Sequence, residues 1–197
     1  LEKLRLHGIK GVELKWFTHY LEKRKQYVYC NGQTSELRQV TTGVPQGSSL
    51  GPLLFLIFIN DFPQHIKHSI SNMFADDGVI YNCGKSFQGT LDTLQSSVND
   101  AGAWYHNNNL PVSIPKSVSM LGASERTLRA LDDEDISLNL KLNGTTLQQV
   151  SFCPYLGVQL DNSLKWSAHI PNLCKNLAQK VGLLNRLRKT LNKKYAK

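Results

Sequence analysis

Residues 72–81 read Asn72-Met73-Phe74-Ala75-Asp76-Asp77-Gly78-Val79-Ile80-Tyr81. Two carboxylates stand side by side between two apolar runs. A tight turn between strands needs only one Asp or Asn and one Gly, and Asp77-Gly78 alone predicts a hairpin turn. Asp76 adds a second charge beside the first. Adjacent carboxylates repel, so they must be solvated, faced by cations or shared with a metal ion. An oxygen-only pair suits Mg²⁺, which takes one or two carboxylates and completes its shell with water and phosphate oxygens. From these ten residues alone, a turn and a metal site both stay open.

Upstream lies a second unusual stretch, Thr41-Thr42-Gly43-Val44-Pro45-Gln46-Gly47-Ser48-Ser49-Leu50-Gly51-Pro52. Three glycines at four-residue spacing and two prolines predict a stiff path with little side-chain bulk, open to close approach by another backbone or a planar ligand. No Gly-Lys-Ser/Thr follows, so it is not a phosphate-binding P-loop. Ser48 and Ser49 are candidate N-caps for an apolar helix over 49–62, which reads as buried.

The chain has 197 residues and a hydrophobic fraction of 41%, enough for one domain with a core. Its longest apolar run, Leu53 to Ile59, is far too short to span a membrane. No apolar signal region opens the sequence, so an intracellular setting, nucleus or cytoplasm, is expected. Cys30, Cys83, Cys153 and Cys174 form no Cys-x-x-Cys pair and read as reduced core thiols rather than a disulfide frame or a zinc site. The net charge is +8, and nine of the 23 Lys and Arg residues fall from Lys165 onward, where no acid remains. The part before it carries 14 basic against 15 acidic residues. A basic terminal region points to a polyanion, nucleic acid being the commonest, or else to a solvated helix face.

Apolar spacing predicts helices over about 11–24, 86–104 and from 167 onward. In the last, Ile170, Leu173, Cys174, Leu177, Val181, Leu184, Leu187 and Leu191 make one stripe. Asn31-Gly32 and Asn143-Gly144 predict hairpins. Pro111 and Pro115 mark an edge strand around residues 110–123. Residues 124–137 read as an exposed polar loop. Its acidic run Asp132, Asp133, Glu134, Asp135 lacks glycine and is expected to be solvated rather than metal-binding. Helices and strands mix without regular alternation, which predicts an α+β fold with a largely antiparallel sheet.

The ordered set of motifs resembles the reverse transcriptases of non-LTR, LINE-type (jockey/CR1-like) retrotransposons. Gly43–Phe62 resembles polymerase motif B, and Phe74–Tyr81 resembles motif C. Residues 104–121 look like motif D, 153–170 like motif E leading into the thumb, and 1–32 like the stretch joining motif A to motif B. The resemblance implies a right-hand polymerase palm over 1–157 and the start of a thumb over 158–197. It implies RNA-directed DNA polymerisation with Mg²⁺ or Mn²⁺, an RNA template, a DNA primer and deoxynucleoside triphosphates. By position, Asp76 would be the main metal ligand, Asp77 its partner, and Phe74 would pack beneath the turn. Pro45, Gln46 and Gly47 would floor the nucleotide and template site. Lys116 would neutralise or protonate the pyrophosphate. Tyr155, Leu156 and Gly157 would form the primer grip. Lys175, Lys180, Arg186, Arg188 and Lys189 would follow the duplex backbone.

The family's motif A, of the form Asp-x-x-x-Ala-Phe-Asp, has no counterpart here. The first aspartate is Asp61, and Glu2, Glu13 and Glu22 do not fit that pattern. A palm fragment lacking motif A, the fingers and most of the thumb is therefore expected, inactive alone. Gly78 stands where Thr or Ser is common, a mild difference that favours the hairpin turn. Pro115 directly precedes the lysine of a slightly eroded motif D, which fits a truncated or decaying element copy. A non-catalytic nucleic-acid-binding remnant is the alternative. A phosphodiesterase using His65 and His68 is weaker, because such sites need further ligands.

Overall fold

The computed structural model describes residues 1–132 and 137–190 and divides into two compact units. The first comprises 1–66 and 71–78; the second comprises 67–70 and 79 onward.

In the first unit, helix α1 (Glu2–Leu6) packs on α3 (Gly51–Ile59). Leu4, Leu54, Ile59, Phe62 and Ile66 are buried there. Each large apolar side chain so buried contributes about 1.5–3 kcal/mol. Lys3 ties the two helices together. Its Nζ donates to Phe58 O at 2.6 Å and to Asp61 Oδ1 at 2.7 Å, and it lies 4.5 Å above the Phe58 ring centroid. Helix α3 is apolar all round but not fully buried: Leu53 and Leu56 are about half exposed. The apolar run predicted a wholly buried helix. Instead one face, through Gly51, Leu54 and Ile59, is covered.

Helix α2 (Gly11–Leu21) ends three residues earlier than its apolar spacing predicts. A ribbon follows it. Strand β1 (Arg24–Gln26) pairs antiparallel with β4 (Arg38–Val40), and β2 (Tyr29–Cys30) with β3 (Gln33–Thr34). Asn31 and Gly32, with φ of 50° and 80°, make the predicted turn. The short helix α4 (Phe62–His65) closes the run after α3.

Strands β5 (Ile70–Phe74) and β6 (Asp77–Tyr81) form a two-stranded pair. Its turn is Ala75-Asp76, with Ala75 at φ 53°. The expected Asp77-Gly78 turn is thus displaced toward the N-terminus. Gly78 serves packing instead: a Cβ there would stand 2.7 Å from Met73 Sδ.

In the second unit, α5 (Phe87–Asn107) is capped by Ser86, whose hydroxyl accepts from Gly89 N–H. Val98, Ala101 and Trp104 of α5 are buried, as are Leu138, Leu140 and Leu142, which lie in and before β8 (Lys141–Leu142). Gln95 locks that strand by exchanging two 2.8 Å hydrogen bonds with the Lys141 backbone. Gly102 permits the close approach, since a Cβ there would meet Asn143 Oδ1. Strand β8 pairs with β9 (Thr145–Thr146) across Asn143-Gly144.

The expected strand around 110–123 reduces to a 3₁₀ turn (Ile114–Lys116) and β7 (Val118–Ser119), which pairs in parallel with β10 (Gln148–Gln149). Helix α6 (Glu125–Asp132) occupies part of the expected loop, because Ser124 caps it through Thr127 N–H. Asp133, Glu134 and Asp135 lie outside the described residues. Strands β11 (Phe152–Tyr155) and β12 (Val158–Asp161) form an antiparallel hairpin, and α7 (His169–Thr190) follows.

Among the described residues every sheet has two strands. The α+β mixture stands, but no continuous antiparallel sheet forms. The strands are two to five residues long, and prolines and left-handed turn residues interrupt the runs between them.

Candidate active site

The loop from Thr42 to Leu50 folds over the N-terminus of α3. Gly51 makes this possible: a Cβ there would sit 3.1 Å from Ser48 Oγ and 3.4 Å from both Pro45 O and Val44 Cγ2. Ser48 fastens the fold. Its hydroxyl donates to Pro45 O at 2.8 Å and accepts from Gly51 N–H at 3.0 Å. Of the two candidate caps, Ser48 alone makes such a bond, and it does so from outside the helix. Gly47 has φ 74°, a conformation that a residue with a side chain adopts only under strain.

Val44, Pro45, Gln46, Gly47, Ser48, Ser49, Gly51, Pro52, Phe55 and Asp76 line one open cleft of ≈ 560 Å³. All belong to the first unit. The cleft therefore brings together four residues that the sequence nominated: Pro45, Gln46, Gly47 and Asp76. Phe55 lines it too and was not foreseen. It lies one helical turn beyond Gly51 and Pro52, so the i, i+3, i+4 rule would have found it once the helix start was placed at the cleft.

Asp76 and Asp77 are exposed, and no Lys or Arg pairs with either among the described residues. Their oxygens are free to accept a hard cation. No group of three or more His, Cys, Asp or Glu gathers among the described residues. Phe74 does not pack beneath the turn. It is 65% exposed, because β5 alternates and puts Phe74 on the open face with Ile70 and Asn72.

The other nominated residues lie in the second unit. Lys116 is exposed at the end of the 3₁₀ turn, its N–H donating to Ser113 O at 3.0 Å. Tyr155 ends β11, and Leu156 and Gly157, with φ of 48° and 80°, form the two-residue turn to β12. Asp161, at the end of β12, is 1% exposed. It accepts from Ser163 Oγ at 2.7 Å and Ser163 N–H at 3.1 Å, from Lys165 N–H at 3.0 Å and from Ser167 N–H at 3.0 Å. The Ser163 hydroxyl bond and the backbone donors hold its carboxyl well below the usual range, at about 2. His169 Nδ1 accepts from Gln159 N–H at 3.3 Å. The hairpin and the start of α7 are thus joined by two side chains that composition and spacing did not single out.

Helix α7 contains Lys175, Lys180, Arg186, Arg188 and Lys189 and no acid. Its apolar stripe is not buried: Ile170, Leu173, Leu177, Val181, Leu184 and Leu187 are 45–63% exposed. Leu191, Lys193, Lys194 and Lys197 lie outside the described residues. No described helix is long and apolar enough to cross a membrane.

Residues 1–160 match the family profile described as reverse transcriptase (RNA-dependent DNA polymerase). The chain is similar to an RNA-directed DNA polymerase from mobile element jockey of Drosophila melanogaster, 29% identical over 88% of this chain and 19% of the relative. It is 30% identical to a probable RNA-directed DNA polymerase from transposon BS of the same fly, over 89% of this chain and 19% of the relative. A third, from transposon X-element, is 29% identical over 82% of this chain and 17% of its own length. The chain thus spans about a fifth of the relatives it matches. No solved structure matches it.

Proposed function

Since the chain belongs to the reverse transcriptase (RNA-dependent DNA polymerase) family, we propose that the cleft between the Thr42–Leu50 loop and Asp76 is its nucleotidyl-transfer site. In this reading residues 1–157 are a polymerase palm and 158–197 the start of a thumb. The polypeptide it belongs to copies RNA into DNA in a non-LTR element. One observation carries the proposal: Pro45, Gln46, Gly47 and Asp76 line the same cleft.

Two adjacent carboxylates with no ion pair among the described residues fit a divalent ion that takes the rest of its ligands from phosphate and water. Asp76 would hold it, with Asp77 shaping the local field. Bound there, a divalent ion would supply charge stabilisation for nucleotidyl transfer from the triphosphate to the primer 3′-hydroxyl, with pyrophosphate as the leaving group. The stiff loop presents Gln46 and the bare Gly47 backbone to a flat base pair. Phe55 adds an apolar wall. Lys116 stands for the pyrophosphate, and Tyr155, Leu156 and Gly157 for the primer end.

The test is primer extension on an RNA template with Mg²⁺ or Mn²⁺. This chain alone should be inactive, because its described residues gather no third carboxylate beside Asp76. The same chain preceded by a motif A segment and fingers should extend. Extension by the chain alone would sink the requirement for a further carboxylate from motif A. No extension by the longer polypeptide would favour the binding-remnant reading.

Duplex affinity should come mainly from α7. Its cations neutralise phosphates and release counterions, so a contact with four phosphates would weaken binding roughly 10²-fold between 50 and 200 mM salt. Fluorescence anisotropy of an RNA–DNA duplex measures this. Deleting residues 166–197 should remove most of the binding. Equal binding by the truncated chain would leave α7 as a solvated face.

A further inference from the structure

We infer that Arg24 is the positioning residue of the cleft, clamping the N-terminal end of the loop whose tip is Gln46 and Gly47. The inference rests on reading that cleft as the nucleotide site. Arg24 opens β1, and its register partner is Val40. Beyond Val40 the ladder stops and the chain turns into the loop. There the guanidinium takes over. Its Nε donates to Leu21 O at 3.0 Å, at the end of α2. Its Nη2 donates to Thr42 O at 3.2 Å and also to Gly43 O. Gly43 has φ 74°, so the chain reverses at the point where it is held.

No carboxylate pairs with Arg24 among the described residues; the side chain spends its donors on three backbone carbonyls of two separate segments. Ser48 holds the other end of the same loop. Between these two clamps stand only Val44, Pro45, Gln46 and Gly47, all four lining the cleft. A loop fixed at both ends, with a proline inside, presents its tip without an ordering cost on binding. Lysine cannot replace arginine here. Its ammonium is a point charge, whereas the planar fork reaches both segments at once.

Two measurements test this on Arg24→Lys and Arg24→Gln, with Ser48→Ala reporting on the other clamp. The first is amide exchange in this chain. At Ser48 and Gly51, whose N–H groups donate to Pro45 O and to Ser48 within the loop, it should quicken by about tenfold in both Arg24 variants, with α5 amides unchanged. The second is steady-state extension by the longer, motif A-containing polypeptide. The KM for deoxynucleotide should rise about tenfold while kcat changes less than about threefold, and lysine should not rescue it. Unchanged loop exchange in both variants overturns the clamp. Faster exchange with an unchanged KM overturns the positioning role and leaves Arg24 a structural residue. Absent extension with Arg24 intact would instead count against the nucleotide-site reading, while the exchange measurement still decides the clamp. The lysine variant keeps a cation and a long stem, so it covers the case in which Arg24→Gln does not fold.

Discussion

Asp76→Ala, in a polypeptide carrying this chain behind a motif A segment, is expected to reduce primer extension by at least about 10³-fold. Positioning and charge stabilisation supply nearly all of the rate in phosphoryl transfer, so one lost ligand removes both. The same variant should fold normally. Asp76 is an exposed turn residue with no ion pair among the described residues. Its removal also relieves repulsion with Asp77, so Tm should hold within about 2 °C, and duplex binding within about twofold. Asp77→Asn should cost less, because Asp77 begins β6 and does not line the cleft. Extension that survives Asp76→Ala would remove the carboxylate from the mechanism.

Asp161→Ala should give the largest loss of stability. Four donors converge on this carboxylate, and three of them are backbone amides. Removing it leaves those amides without their acceptor. It also releases a turn that holds Leu164 at φ 55° and Trp166 at φ 62°, both unfavourable for residues with side chains. A fall in Tm of roughly 5–10 °C is expected. The pH dependence has a definite sign. The folded carboxyl titrates at about 2, below its ordinary value of 3.8. Its contribution is therefore complete above about pH 4 and disappears as the pH falls toward 2. Thermal melts of wild type and Asp161→Asn between pH 5 and 2 isolate it: the gap between them should narrow across that window. A constant gap would mean that the carboxylate's charge does not matter.

Much of the cleft was legible from residue type. Gly47 and Gly51 signalled tight backbone, and Asp76 signalled charge that needs a partner. The Asn31-Gly32 and Asn143-Gly144 hairpins followed from the left-handed conformations those residues tolerate. The β5–β6 turn was placed too late because Asp77-Gly78 looks like a turn locally, whereas Gly78 answers to Met73 across the hairpin. Arg24 and Asp161 stayed hidden for a related reason. Each acts through bonds to backbone groups, and no side-chain pattern in a sequence records which carbonyl or amide will come near. Residues 124–132 misled because their polar composition suits a solvated helix as well as a loop. The apolar stripe of α7 is about half exposed, because periodicity reports only that a helix has an apolar side.

The isolation of the strand pairs bears on how the chain reaches its structure. Hairpins β2–β3, β8–β9 and β11–β12 each close across two residues, so they can zip without ordering the rest. Pair β1–β4 lengthens the first of these ribbons. The parallel pair is different: Val118 must find Gln148, and Ser119 must find Gln149, across all of α6 and β8–β9. Closing so long a segment for two residues of ladder repays little. This pair should be the last strand contact to form and the first to open. Pulse-labelled exchange would show it as Gln149 and Val150 amides protected after those of β11 and β12. Since β10 runs directly into β11, a chain arrested at that stage would keep its hairpins and lose the link that joins residues 118–119 to its last third.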